Sequence, residues 1–145
     1  MKNDKCKNTA VEEPDPPQER TYDLEERTAK FGEAIIDFLR PLPRDEITRP
    51  LISQLVRSAT SIAANYCGAD DGVSRADFCH RIGTSRKEAK ESKLWLRMIA
   101  RAVPAKGDHA RVFCREANEL HLILSKIYWN TRRGEERDKK KRRAK

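Results

Sequence analysis

Apolar residues recur at alternating spacings of three and four along the chain from Leu24 onward, which is the spacing of one face of an α-helix. The pattern falls into four stretches separated by proline, glycine or short polar turns. No stretch alternates with period two for long enough to form a strand. We therefore predict an all-α fold, an antiparallel up-down four-helix bundle with short connections.

Capping and breaking residues set the expected bounds of the first two helices. Asp23 is a plausible N-cap for the first helix, and Pro41 stops it. The second helix is expected to begin near Thr48 and to end at Gly68. The apolar face of the first helix is predicted to be Leu24, Thr28, Phe31, Ile35 and Phe38.

The last two helices have similar signals. Ser74 followed by Asp77 resembles a capping box at the start of the third helix, and Pro104 ends that helix. Asp108 is expected to cap the fourth helix, and Gly134 to close it.

Charge and composition divide the chain into three parts. Residues 1–21 contain three prolines among acidic residues and no periodicity, which predicts a disordered leader. Residues 22–131 are predicted to form the bundle, and residues 132–145 a basic disordered tail. The tail has nine Lys or Arg against three Asp or Glu, so it supplies most of the net charge of +8.

Several classes of protein are disfavoured. No apolar run approaches the ~20 residues of a membrane span, and the N-terminus lacks a signal-peptide core, so we expect a cytoplasmic protein without membrane contact. Cys67, Cys79 and Cys114, with His80, match no common zinc-ligand spacing, so we predict no metal and no cofactor. The three histidines have no nucleophile or carboxylate at a useful spacing, so we predict no catalytic residues and no enzymatic activity.

The stretch RSATSIAANYCGADDG in the second helix has an uncharged polar ridge beside its apolar face. Small polar residues let helices approach closely, and a carboxylate facing them from the third helix needs several hydrogen-bond donors. We predict a polar seam between helices or subunits that is formed by Arg57, Ser58, Ser61, Asn65, Glu88, Glu91 and Trp95. Simple space filling by Ser and Ala is the plainer alternative, and a small-molecule site is a third.

The same residues carry a family resemblance. RSATSIAANYCGA, then Ser74 with Asp77 and Phe78, then KEAKESKLWLRMI resemble the bacterial four helix bundle protein family, also called the 23S rRNA intervening-sequence protein family. The matching positions of the last segment are Lys87, Glu88, Ala89, Glu91, Ser92, Trp95 and Leu96. Gly68 stands where the family pattern has Glu, so a role for that carboxylate is not expected here.

The resemblance implies a four-helix bundle that assembles as a ring. It is similar to the pentameric accessory protein of diversity-generating retroelements, a basic barrel associated with reverse transcriptase and nucleic acid. The expectations from the resemblance are therefore a homo-oligomer, with a homopentamer as the reference size, and a reverse transcriptase or another nucleic-acid enzyme as protein partner. No enzymatic activity is established for the family as such.

Basic residues indicate RNA or DNA as the partner, bound non-specifically and in a salt-dependent way. The predicted contact residues near the turn between helices three and four are Arg97, Arg101, Lys106 and Arg111, and those of the tail are Arg132, Arg133, Arg137, Lys139, Lys140, Lys141, Arg142 and Arg143. Aromatic residues are few, so no base-stacking platform is evident. The alternatives are a tail that serves only solubility, and a protein–protein assembly scaffold with Trp95, Tyr128 and Trp129 on its partner surface.

Overall fold

The computed structural model describes residues 23–145 and contains four α-helices and one short 3-10 turn. The helices are α1 (Leu24–Leu39), α2 (Thr48–Asp70), α3 (Arg75–Ala102) and α4 (Gly107–Arg143), and the 3-10 turn is Pro104–Lys106. No strand occurs within residues 23–145. The predicted all-α class and the four helices are confirmed. The predicted leader, residues 1–21, lies outside the described residues.

Side chains cap the first three helices. Asp23 accepts a hydrogen bond from the Glu26 backbone N–H at 3.1 Å, and Ser74 accepts one from the Asp77 N–H at 3.0 Å, as the sequence predicts. The cap of α2 is less direct, because Asp45 Oδ1 accepts from the N–H groups of Ile47 and Thr48, both at 2.8 Å. These bonds satisfy backbone donors that have no partner inside the helix.

Two predicted helix ends are wrong by a short distance. Helix α2 continues two residues beyond Gly68 to Asp70. Asp108 does not cap α4: the helix begins at Gly107, and Asp108 lies in its first turn. The reason is the 3-10 turn, in which the Lys106 N–H bonds to the Val103 carbonyl at 2.9 Å and leads the backbone into α4 without a capping side chain.

The predicted end of the fourth helix at Gly134 is also wrong, because α4 runs on to Arg143 and the predicted disordered tail is helical. Arg75 at the start of α3 forms an ion pair with Asp138 and holds this extension against the bundle. Glu135 and Glu136 stand four residues before Lys139 and Lys140, the order that favours a helix. Basic residues in the last turn also complement the negative end of the helix dipole.

The predicted face of α1 is buried at all five positions. The largest fully buried apolar side chains come from all four helices, and they are Ile35, Leu55, Ile62, Ile82, Leu96, Ile99, Leu120 and Leu124. Helix α3 lies between α2 and α4: Ser85 bonds to the Ile62 carbonyl of α2, and Lys93 bonds to Asn118 of α4. The two sides of α3 therefore carry different kinds of residues. A polar seam faces α2, and a charged border faces α4.

Candidate nucleic-acid interface and polar seam

Three serines form the buried part of the polar seam between α2 and α3. Ser58, Ser85 and Ser92 are fully buried. Ser92 Oγ donates to Ser58 Oγ at 3.0 Å, and Ser58 Oγ donates to the Leu55 carbonyl at 3.2 Å. Ser85 Oγ donates to the Ile62 carbonyl at 2.8 Å. Each buried hydroxyl thus has a hydrogen-bond partner. Two of these bonds join α2 to α3: Ser85 bonds to a backbone carbonyl of α2, and Ser92 bonds to the side chain of Ser58.

Charged residues close the outer edge of the seam. Arg57 of α2 bonds to Glu91 at 3.0 Å and to Glu88 at 3.4 Å, both on α3. The hydrogen bond to Glu91 and the charge of Glu88 raise the pKa of Arg57 above its usual value. Arg57 is therefore the ion-pair partner of both glutamates.

The remaining seam residues lie nearer to solvent. Ser61 and Asn65 are half-buried, and the Asn65 amide donates to the Ser61 carbonyl of its own helix at 2.9 Å. Trp95 is half-buried against the core, and its buried Nε1–H has no hydrogen-bond partner in residues 23–145. The structure therefore brings Arg57, Glu88 and Glu91 together. Ser58 bonds to Ser92 in the buried part of the seam, and Asn65 bonds to Ser61 within α2.

Toward α4, helix α3 carries a row of cations that the sequence analysis only partly found. Its members share one face at spacings of three and four, and they are Arg86, Lys90, Lys93, Arg97 and Arg101. Arg86 Nε donates to Ser125 Oγ at 2.9 Å, and Lys93 Nζ to Asn118 at 2.7 Å. These two bonds place the row along the border with α4.

Helix α4 carries a matching row on its exposed side. At 100° per residue its cations fall within an arc of about 80°, and they are Arg111, Arg115, Lys126, Arg133, Arg137 and Lys140. All six are exposed. We call the two rows together the basic face. Arg111 and Lys140 are separated by about 44 Å along the helix, at 1.5 Å per residue.

The basic face includes some of the predicted contact residues and not others. Arg97, Arg101, Arg111, Arg133, Arg137 and Lys140 belong to it. Lys106 does not, because it lies in the 3-10 turn beside Phe38 and His109 on the α1 side. Lys139 and Arg142 line a cleft with Arg75, and Lys141 and Arg143 are exposed in the last turn.

Sequence reasoning missed Arg86, Lys90, Lys93, Arg115 and Lys126. The helical spacing of cations on α3 was the available signal.

Ion pairing distinguishes the basic face from the other sides of the bundle. Arg27 of α1 pairs with Glu116 of α4 at 2.7 Å and also contacts Glu119. Arg57 pairs with two glutamates, as described above. Within residues 23–145, Arg111, which pairs with Asp108, is the one member of the basic face that forms an ion pair. Asp108 and Glu119 fall in the same arc of α4, and Glu136 lines a cleft with Arg133, Arg137 and Lys140. Cations still outnumber carboxylates on the face, and this excess attracts polyanions.

Two aromatic residues interrupt the basic face near its middle. Tyr128 and Trp129 meet edge to face, with ring centroids 5.0 Å apart. The Arg86 guanidinium lies 5.5 Å from the centroid of Tyr128 and 5.9 Å from that of Trp129. Arg132 lies 5.8 Å from the Tyr128 centroid and donates to its hydroxyl at 3.1 Å. The sequence suggested Tyr128 and Trp129 only as part of a protein-partner surface and not as a base-stacking platform.

The groups considered for catalysis or metal binding are dispersed. No cluster of three or more His, Cys, Asp or Glu residues suited to a metal ion occurs in the described range 23–145. Burial raises the pKa of the Cys79 and Cys114 thiols, which disfavours their thiolates. His121 Nδ1–H donates to the Arg86 carbonyl at 2.9 Å, a structural bond. None of the four helices is both long and apolar enough to cross a bilayer.

The fold and the seam define a class of small all-α protein with a four-helix core and a charged flank. A family model described as "23S rRNA-intervening sequence protein" matches residues 20–126. The chain therefore belongs to the 23S rRNA-intervening sequence protein family. No curated protein matches the sequence.

A solved structure supports the same assignment. The chain is similar to a protein of unknown function from the S23 ribosomal protein family of Bacteroides thetaiotaomicron VPI-5482, with 25% identity and a TM-score of 0.63. The match covers 72% of this chain and 96% of that chain. The family model ends at residue 126, so Tyr128, Trp129 and the last part of α4 lie beyond it.

Proposed function

We propose that this protein is a non-enzymatic, oligomeric nucleic-acid-binding protein that holds RNA or DNA on its basic face. The observation that supports the proposal best is the joint row of cations on α3 and α4, of which Arg111 alone forms an ion pair among the described residues. Binding is expected to be non-specific, because cations on a regular helix face contact phosphates and do not read base edges.

The dimensions of the basic face suit a nucleic-acid backbone. Its length of about 44 Å exceeds one turn of duplex DNA, about 34 Å. Phosphates lie along that length at a density that several Lys and Arg side chains can engage together. Each phosphate that is neutralised releases counterions, so the affinity should fall steeply as salt rises.

A charge-neutralising variant with a matched control tests the proposal. The test variant is Lys126→Gln/Arg133→Gln/Arg137→Gln, which removes three cations of the basic face. The control is Lys30→Gln/Arg40→Gln/Arg49→Gln, which removes three exposed cations, one in α1, one at its C-cap and one in α2, and changes the net charge equally. Fluorescence anisotropy with a labelled RNA and a labelled DNA, each from 25 to 300 mM salt, gives the affinity and its salt dependence.

The test variant should lose affinity and show a shallower salt slope, by about 2 to 3 in the log–log plot for three lost phosphate contacts. The control should stay close to the parent. No binding at 25 mM salt by the parent would reject the proposal, and equal losses in both variants would show that net charge, not this face, is responsible.

Assembly and an accessory role form the second part of the proposal. The family resemblance supports a homo-oligomer, with a pentamer as the reference size, and a reverse transcriptase or other nucleic-acid enzyme as its protein partner. Copies in one assembly would present several basic faces, and simultaneous contacts would strengthen a weak single-site affinity. Light scattering coupled to size-exclusion chromatography would measure the mass, and a monomer at micromolar concentration would remove this argument.

A protein–protein scaffold without a nucleic-acid role is the second candidate. The open groove between α1 and α4 favours it, with a volume of about 520 Å³ and Phe31, Ala34 and Val112 in its lining. Val112 is 53% exposed there, and its occupant would be a second copy of the chain. Val112→Asp should then lower the oligomer mass, while the three-Gln variant of the basic face should leave the mass unchanged.

A further inference from the structure

The aromatic group on α4 suggests a more specific ligand than a phosphate backbone. We infer that Trp129 stacks on an unpaired nucleobase while neighbouring cations hold the flanking phosphates, so that the protein prefers single-stranded over duplex nucleic acid. The inference rests on the proposed nucleic-acid function and narrows its substrate class. RNA and DNA share this chemistry, because every base has a π-face.

Exposure is the first observation. Trp129 is 51% exposed, although an indole is a large apolar group that a folded helix usually covers. The Arg86 guanidinium lies over the indole at 5.9 Å, and the Tyr128 ring meets it edge to face. About half of the Trp129 surface therefore remains accessible to a ligand beside these two neighbours.

Preorganisation is the second observation. Arg86 is fixed by a hydrogen bond from Nε to Ser125 at 2.9 Å, and His121 holds its carbonyl oxygen. Arg132 bonds to the Tyr128 hydroxyl and fixes the second ring. An aromatic ring that is already held in place loses little conformational freedom when a planar ligand stacks on it.

The charge around Trp129 is the third observation, and it selects the ligand. Lys126 and Arg133 stand three residues before and four residues after Trp129 on the same exposed face of α4. No acidic residue occurs within four positions of Trp129 along the helix. A neutral apolar partner would gain nothing from these cations, whereas a base with a phosphate on each side would contact both ring and cations.

The experiment uses the full chain with Trp95→Phe, which leaves Trp129 as the single tryptophan. Its fluorescence is titrated at low salt with single-stranded oligo(U), single-stranded oligo(dT), a duplex of equal length, and inorganic polyphosphate. Affinities are measured in parallel by anisotropy for the parent, Trp129→Ala and Trp129→Tyr. Leu122→Ala is the matched control, since Leu122 is 58% exposed and one heptad earlier on the same face.

Single strands should quench Trp129, and polyphosphate should not. Trp129→Ala should weaken single-strand binding by about 5- to 100-fold, the effect of removing a stacking aromatic, and should change duplex binding by less than about 2-fold. Trp129→Tyr should restore most of the affinity, which also controls for folding, and Leu122→Ala should have little effect.

Equal losses for single strand and duplex in Trp129→Ala, or no loss for either, would overturn the inference while leaving the basic face intact. A change in oligomer mass with unchanged affinity would also overturn it, because Trp129 would then be a protein contact. Failure of the proposed function looks different: the parent would bind neither single strand nor duplex.

Discussion

Gly83 of α3 lies directly beneath the ring of Tyr128 of α4: a β-carbon at Gly83 would lie 2.9 Å from Cε2 of that ring. Real β-carbons essentially never approach so closely, so the glycine sets the distance between the two helices at this level. The same ring carries Arg86 and Arg132, so the packing of one small residue positions the aromatic part of the basic face.

Two Gly→Ala substitutions that raise helix propensity equally should therefore have opposite effects on the free energy of unfolding. Gly68→Ala should stabilise the protein by up to about 1 kcal/mol, because alanine favours the helix and the close neighbour is the mobile end of Arg81. Gly83→Ala should destabilise it by about 1 to 3 kcal/mol, because the Tyr128 ring must move. Urea denaturation measures both, and equal signs would contradict this explanation.

Filling the buried part of the polar seam should also be costly. Ser58→Leu inserts a large side chain at a fully buried position and removes one of the two acceptors of the Ser92 hydroxyl, the other being the Glu88 carbonyl at 2.9 Å. We expect a loss of about 2 to 4 kcal/mol in unfolding free energy. Ser61→Leu is the control, since Ser61 is half-buried on the same helix. A Ser58→Leu protein as stable as the parent would show that the seam is not close-packed.

Removal of Arg57 should lower the stability of the protein by more than the loss of one ion pair, because Arg57 pairs with both Glu88 and Glu91. The Glu88 side chain is only 12% exposed, so Arg57→Ala leaves a mostly covered carboxylate without its cation. Because Arg57 is half-exposed, the expected loss is modest, about 1 to 2 kcal/mol. Arg57→Ala/Glu88→Gln should recover part of it, since the amide carries no charge. A double-mutant cycle by urea denaturation measures the coupling, and a coupling near zero would argue against the pair.

Stability should depend on pH through Asp45. Backbone hydrogen bonds, first from Thr48 and then from Ile47, lower the pKa of Asp45 below its usual value. The ionised carboxylate therefore stabilises the start of α2 above its unfolded-state pKa, and this stability is lost as the pH falls through the lower, folded-state pKa. Asp45→Ala should be less stable than the parent at pH 7, and the difference should shrink below about pH 4. A constant difference down to pH 2 would contradict this assignment.

The helical end of α4 can be tested at Gly134. Gly134→Ala should raise helix content, because a β-carbon there would meet Arg75 Nη1 at an ordinary 3.7 Å. Gly134→Pro should interrupt the helix and weaken the contact between Arg75 and Asp138. Circular dichroism and amide hydrogen exchange of residues 135–143 report the change. Equal exchange rates in the parent and Gly134→Pro would mean that the end is not helical in solution.

The sequence was sufficient where a local signal decides the structure. The apolar spacing of α1 and the capping residues Asp23 and Ser74 needed no partner helix to be recognised. The end of α4 was missed because Gly134 looks like a helix terminator, while the support from Arg75 comes from a residue far away in sequence.

The candidate site divides in the same way. The Arg57 contacts with Glu88 and Glu91 join residues that the sequence had already placed in one seam. The meeting of Arg86 with Trp129 depends on how α3 and α4 are set against each other, and side-chain packing decides that register. The helical spacing of the cations on α3 can be recognised in the sequence. That they lie beside the cations of α4 depends on how the two helices pack, which the sequence pattern does not reveal.

Because α4 stays helical to Arg143, its C-terminal cations are held at fixed positions along a rigid helix and not on a flexible chain. A flexible cationic chain can adapt to polyanions of any shape, and it loses conformational entropy each time it binds. Cations on a rigid helix keep fixed distances from one another. A polyanion whose phosphates have the same spacing should therefore bind more tightly than one whose phosphates do not. Shape, and not charge alone, can thereby separate one anionic polymer from another.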